Sequence, residues 1–256
     1  MTWLLNLLSK RRVWAYPYAI FMAALVVVPL LLVVYYSFVD GNGFTLRYFE
    51  KFFLATDSIN TFIYSVGIAM VTTLVCIIVG YPCAYFMANK SFGTPKVIAM
   101  LFILPMWINL LLRTLATVAL FDFMHLELDE GALVFGMVYN FLPFMIYPIY
   151  NTLQKMDPML VEAARDLGAN DFHVFKDVVL PLSMPGVYSG IIMVFMPTIS
   201  TFAVAELLTM NNVKLFGTVI QENINAGMLN YGSALSLILL VIIGLTSFFG
   251  GDETKN

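Results

Sequence analysis

The stretch EAARDLGANDFHVFKDVVLPLSMPG, residues 162–186, lies between two apolar segments and is dense in charge, glycine and proline. Just upstream, Asp157 is placed to cap a short helix and Pro158 suits its first turn. MLVEAARDL then continues that helix to Gly168, whose tolerance of positive φ supplies a stop. Asn170 or Asp171 is placed to start a second helix, FHVFKDVV, which Pro181 is expected to end. The spacing therefore predicts helix, glycine turn, helix. Leu160, Ala163, Ala164 and Leu167 share one face, with Glu162, Arg165 and Asp166 toward the other. Two uses of such a segment stay open on these grounds: interfacial helices lying on lipid headgroups, or a compact knob that docks into another protein. The small Ala163–Ala164 pair beside a sharp turn suits a knob, because membrane anchoring relies on bulkier apolar groups.

The surroundings of this stretch set its solvent. Of 256 residues 61% are hydrophobic and only 11% charged, more apolar surface than one soluble core could hide, so the fold class expected is an all-α membrane protein. Six segments are apolar over the roughly 20 residues a span requires: about 13–38, 61–87, 97–118, 133–153, 186–208 and 232–249. The first is read as a retained helix, since its apolar run is too long for a secretory signal and lacks a small-residue cleavage site. With a cytoplasmic N-terminus, Lys10, Arg11, Arg12, Lys90, Lys96, Lys155, Arg165, Lys176 and Lys255 fall inside, and Arg47, Lys51 and Lys214 outside. That asymmetry follows the positive-inside rule and puts both termini and the 162–186 stretch in the cytoplasm, the latter between the fourth and fifth spans. Trp14, Tyr16, Tyr18, Tyr35 and Tyr36 fit interfacial aromatic belts. Prolines 29, 82, 105, 143, 148 and 197 predict kinked, packed helices, and Gly186 with Gly190 permits close approach of the fifth span to a neighbour. Asn89 begins an Asn-Lys-Ser tripeptide, read as a chance match in a cytoplasmic loop.

Reactive chemistry is sparse. The two histidines, His125 and His173, are assigned to opposite sides of the membrane, so neither a metal site nor a triad is expected. Cys76 and Cys83 are seven helical residues apart, roughly 10 Å along the axis and too far for a disulfide. A net charge of −3 excludes the basic footprint of nucleic-acid binding. No phosphate-cradling G-x-x-x-x-G-K-[ST] loop exists, so ATP-driven work would require another subunit. Glu206 is the one acidic residue read inside a span, which gives little support to a self-sufficient ion-coupled carrier.

Residues 162–187 resemble the EAA loop of the inner-membrane permeases of ABC importers, E-A-A-x-x-x-G followed by F-x-x-V-x-L-P-x-x-x-P-G. The matching positions are Glu162, Ala163, Ala164, Gly168, Phe175, Val178, Leu180, Pro181, Pro185 and Gly186. The resemblance implies a six-helix type I importer permease fold forming a single domain over residues 1–256. It further implies coupling helices at about 154–185, including Asp166 and Leu167, that insert into a cytoplasmic ATPase dimer. ATP and magnesium would be bound by that partner, with no cofactor in this chain. PLLLVVYYSF (29–38), GYPCAYFMA (80–88), LPMWINLLLRT (104–114), NFLPFMIYPIYNTLQKMD (140–157) and STFAVAELL (200–208) are similar to the polyamine (spermidine/putrescine) branch, PotB type. That branch implies a second, PotC-type permease, an extracytoplasmic substrate-binding protein and a location in the bacterial cytoplasmic membrane. FDFMHLELDEGA, the outer segment after the third span, is shorter than expected for that family.

A small polycation needs carboxylates and aromatic faces along its path. Glu206 is the acidic candidate, with Trp107, Tyr139 and Tyr147 as candidate aromatic walls. Asp122, Glu127, Asp129 and Glu130 make the outer segment acidic, which suits cation attraction and solvated loop charge equally. Arg113 would repel a cation, so it is expected to pair with a carboxylate or the second permease, or to snorkel to the interface. The competing readings are the same machinery for another solute, such as an amino acid, iron chelate or sulfur oxyanion, and a self-sufficient secondary transporter.

Overall fold

Long apolar helices interrupted by prolines account for most of the structure, a computed structural model that describes residues 15–41, 43–88, 101, 102 and 104–251. Lys10, Arg11, Arg12, Trp14, Asn89, Lys90, Lys96, Lys255 and the start of the expected third span lie outside the described residues. Among the described residues, four helices are long and apolar enough to cross a membrane: α1 (Tyr16–Phe38), α3 (Thr56–Ala88), α5 (Glu130–Lys155) and α7 (Asp171–Ser200). Between and after them come β1 (Val39–Asp40) paired antiparallel with β2 (Gly43–Phe44), α2 (Arg47–Leu54), α4 (Leu110–Phe123), α6 (Pro158–Asp166), α8 (Ala203–Leu208), α9 (Phe216–Asn225) and α10 (Leu229–Gly251). The chain divides into two compact units, one up to residue 55 with 220–240, the other 56–219 with 241 onward.

In the first unit, side chains of α1 are exposed over most of its length, as expected of an apolar helix in lipid. At its end, the Asn230 side chain donates to the backbone carbonyls of Tyr36 (3.1 Å) and Val39 (2.6 Å). The Lys51 ammonium lies 4.2 Å from the centre of the Tyr231 ring.

The second unit holds the core. Lipid tails give no hydrophobic drive for helices to pair, so association rests on close packing, which small residues permit. Gly80 of α3 faces Met145 and Ile146 of α5; a side chain added there would meet them at 3.1 and 3.4 Å. At Gly186 of α7 an added Cβ would lie 2.6 Å from Thr152 Oγ1 and 2.9 Å from the Pro148 carbonyl. At Gly190 it would meet Met145 Sδ at 2.6 Å. The Gly186/Gly190 expectation is therefore met, with α5 as the neighbour. Cys76, Ala84, Met137, Met145, Ile149 and Val194 fill the space among α3, α5 and α7. Cys76 and Cys83 are free.

Three expectations about spans need correction. The 97–118 segment is not one helix over its described part: Leu104–Trp107 is a 3₁₀ turn around Pro105. Asn109 then caps α4, accepting from the Leu111 amide at 2.8 Å. A proline cannot donate and an asparagine offers the backbone a competing acceptor, so the helix restarts instead of running through. The fifth segment also ends early, at Ser200, where Thr201 is extended and Ser200 Oγ turns back on the Met196 carbonyl at 3.0 Å. Glu206 accordingly sits on the separate short helix α8. Finally, Pro181 does not end a helix. Val174–Val179 is a π-turn, with the Leu180 amide bonded to the Phe175 carbonyl, and α7 continues through the ring. Ala23–Val27 widens α1 in the same way just before Pro29. In both places the wide turn removes the α-helical carbonyl that a proline ring would strike.

Two of the three expectations for Arg113 also need correction. It neither snorkels nor pairs with a carboxylate among the described residues. Only 5% exposed, it donates from Nη1 to the Asn140 carbonyl at 3.2 Å. Asn140 Nδ2 donates in turn to Thr114 Oγ1 at 3.1 Å.

Candidate functional site

The 154–185 loop is built by local rules and held on the bundle by specific contacts. α5 ends at Lys155 and the chain turns at Met156. Asp157 then caps α6, its side chain accepting from the Met159 amide at 3.0 Å, with Pro158 in the first turn, where no amide is needed. At the other end Gly168 adopts φ +85°. The Gly168 amide bonds the Arg165 carbonyl (2.9 Å) and the Ala169 amide the Ala164 carbonyl (3.1 Å), the two bonds of a Schellman stop. Asn170 caps the next helix through the His173 amide at 2.9 Å. Arg165 bridges to Asp171 at 3.0 Å across the turn; both side chains are exposed, so the pair orients the two helices and adds little stability.

The expected apolar face of α6 is divided. Val161 and Ala164 turn inward and pack against the core, whereas Leu160, Ala163 and above all Leu167, 90% exposed, face outward. Glu162, Asp166 and Gly168 are exposed beside them. The result is a short helix fixed by its inner side, with a small apolar and acidic outer surface free to meet another protein.

Phe175 supplies the anchor. Its ring packs edge-on against Tyr81 (centroids 5.9 Å, 84°) and Tyr85 (5.4 Å, 83°), both on α3. Such pairs contribute about 0.5–1.5 kcal/mol each beyond area burial. Two turns on, Ser183 Oγ donates to the Leu180 carbonyl at 2.8 Å. The Tyr81 hydroxyl is then the donor in its 2.8 Å bond with Ser183. Pro181 and Pro185 are exposed on α7, and Gly186 is buried against α5. Tyr81, Tyr85 and Ser183 were not singled out from the sequence. The signal available was the pair of tyrosines one helical turn apart around Pro82 in GYPCAYF.

A second feature lies at the far end of α7. A groove of about 510 Å³ is lined by Leu110 and Leu111 of α4, by Ser200, Thr201 and Phe202, and by Ala203, Glu206 and Leu207 of α8. Glu206 is half-buried and forms no ion pair with any described residue. Trp107, Tyr139 and Tyr147 do not line this groove; they are 88%, 45% and 40% exposed. Asp129 has a structural task, capping α5 through the Ala132 amide at 3.0 Å.

Bundle and loop together define a class, the membrane-spanning subunit of a binding-protein-dependent importer. Among solved structures, the chain is similar over its whole length to a chain of a bacterial ABC transporter that imports the acidic polysaccharide alginate (TM-score 0.71, 13% identity, all of both chains covered). It is also similar to a chain of the MetNI methionine ABC transporter in inward-facing form (TM-score 0.60, 14% identity, 76% of this chain and 93% of that one). At such identities the likeness speaks for the fold alone. Residues 77–251 match the family model described as the binding-protein-dependent transport system inner membrane component, and the chain belongs to that family.

Relatives narrow the comparison. The spermidine/putrescine transport system permease protein PotB of Haemophilus influenzae is 34% identical over 248 residues, covering 87% of this chain and 86% of its own. PotB of Escherichia coli is 33% identical over 201 residues, covering 72% and 73%. The PotC permease of Escherichia coli is 25% identical over 239 residues, covering 89% and 90%.

Proposed function

We propose that this chain is one of two permease subunits of an ATP-driven importer for spermidine or putrescine, with the second subunit of the PotC type. The similarity to PotB permeases over most of the chain supports the substrate class. The observation that carries the mechanism is the loop itself: α6 presents Leu160, Ala163 and Leu167 outward while Val161, Ala164 and Phe175 tie it to the bundle. A knob so placed is a handle for a cytoplasmic ATPase dimer, which binds the ATP and magnesium. Closure of that dimer would push the loop, and α5 and α7, continuous with it, would turn the pore toward an extracytoplasmic binding protein. Both termini lie in the cytoplasm in this reading.

The substrate path passes the Glu206 groove. A half-buried carboxylate without a protein cation, beside the Phe202 ring and the carbonyl end of α7, suits a protonated amine. Trp107, Tyr139 and Tyr147 complete the path in the assembled pore, whose other wall comes from the second permease.

Proteoliposomes containing both permeases, the ATPase and the binding protein test this reading. ATP inside and spermidine with binding protein outside give uptake, and omission of any subunit abolishes it. Uptake by this chain alone would overturn the proposal in favour of a self-sufficient carrier.

A further inference from the structure

The loop's anchor lies on a helix far from it in sequence. Phe175 sits inside the π-turn Val174–Val179, and its ring reaches Tyr81 and Tyr85, while Ser183 bonds Tyr81. Two turns of α7 are thus fastened to two turns of α3, one by rings and the other by a hydrogen bond. Tyr81 is 8% exposed, and Val174 and Val179 beside the clamp are buried. α3 is not contiguous with the loop at either end. Two residues beyond Tyr85, Met87 joins the same core cluster.

Resting on the importer reading above, we infer that Phe175 is a positioning residue that makes α3 move as one body with the coupling loop. A push on α6 passes along the chain into α5 and α7 in any case, because both are covalently continuous with the loop. α3 packs along α5 and α7 through Cys76, Gly80 and Ala84, but what ties its last turns to the loop itself is the contact of Tyr81 and Tyr85 with Phe175. An edge-on aromatic pair resists sliding along either ring, and the Tyr81–Ser183 bond fixes the register between the helices. The π-turn places Phe175 for this contact, since the extra residue in the turn rotates every following side chain relative to those before it. Loss of the Phe175 ring leaves α6 and its outward face intact, yet lets the end of α3 around Tyr85 lag when the loop moves.

The assembled importer, with ATPase and second permease, provides the test. In a background carrying Cys76→Ala and Cys83→Ala, spin labels are placed at Lys176→Cys in the loop and Phe86→Cys on the exposed side of α3. The distance between them is measured without nucleotide and with ATP. The inference predicts one unchanged distance in both states with the Phe175 ring present. In Phe175→Ala the distance becomes nucleotide-dependent, spermidine uptake per ATP hydrolysed falls about tenfold, and Phe175→Tyr restores both. A nucleotide-dependent distance with Phe175 in place overturns the inference, as does Phe175→Ala with undiminished uptake per ATP. Should Phe175→Ala fail to assemble, Phe175→Leu, which keeps apolar bulk without the ring, takes its place with the same expected and overturning outcomes. Failure of the importer reading itself would be seen separately, as absence of ATP-dependent uptake by the unmutated complex.

Discussion

Gly186 offers the sharpest test of how the loop is joined to the bundle. An alanine there places its methyl carbon 2.6 Å from Thr152 Oγ1, 2.9 Å from Thr152 Cβ and 2.9 Å from the Pro148 carbonyl. A carbonyl in a helix cannot step aside as a flexible side chain can, so α5 and α7 must separate. Overpacking of this kind costs about 1–3 kcal/mol. Gly190→Ala should cost less, because the nearest atom, Met145 Sδ at 2.6 Å, belongs to a flexible chain, with the Met145 carbonyl farther off at 3.2 Å. Gly67→Ala is the control: nothing lies within 4 Å of the new carbon, and alanine in a helix interior is favoured by about 0.5–1 kcal/mol. The assay is thermal unfolding of the detergent-solubilised complex at one scan rate, since membrane complexes unfold irreversibly. The expected order of melting temperatures is Gly67→Ala above Gly190→Ala above Gly186→Ala. Adding Thr152→Ala to Gly186→Ala should recover part of the loss, as the carbonyl contact remains. Equal melting of Gly186→Ala and Gly67→Ala would refute the packing argument.

Three further outcomes are expected. Asp157→Ala removes the α6 cap, worth about 0.5–2 kcal/mol, so the Met159 amide should exchange with deuterium roughly fivefold faster while amides in α5 do not change. Glu206→Gln should raise the spermidine concentration for half-maximal uptake by about tenfold, with Glu206→Asp intermediate; an unchanged value would remove the carboxylate from the path. Arg113→Met exchanges a buried guanidinium, held by one backbone carbonyl, for an apolar chain of similar length. The melting temperature should hold or rise, because desolvating a charge costs more than one such bond returns; a fall of several degrees would contradict this.

The loop was legible because its signals are local. Asp157, Pro158, Gly168 and Asn170 each act within four residues of themselves, and all four take the expected roles. α1, α3 and α5 followed from apolar length alone. Hydropathy could not show where an apolar run breaks: Asn109 restarts a helix through a side-chain hydrogen bond, and α7 ends at the extended Thr201, with very little change in mean hydropathy. Pro181 misled for a related reason, since the π-turn before it lets α7 run on through the ring. The partners of Phe175 were out of reach as well. Tyr81 and Tyr85 lie some ninety residues upstream, and a single sequence carries no register between helices.

The central claim is that α6 is where an ATPase drives this permease. Its most direct test compares ATP hydrolysis with spermidine uptake in reconstituted complexes carrying Glu162→Lys or Gly168→Asp. Glu162→Lys reverses a charge on the exposed face of α6. Gly168→Asp places a side chain at φ +85°, costing roughly 1–2 kcal/mol in the turn that sets the helix. The account predicts that both complexes reach the membrane while ATP-coupled uptake is lost. Uptake at the unmutated rate in both variants would contradict it.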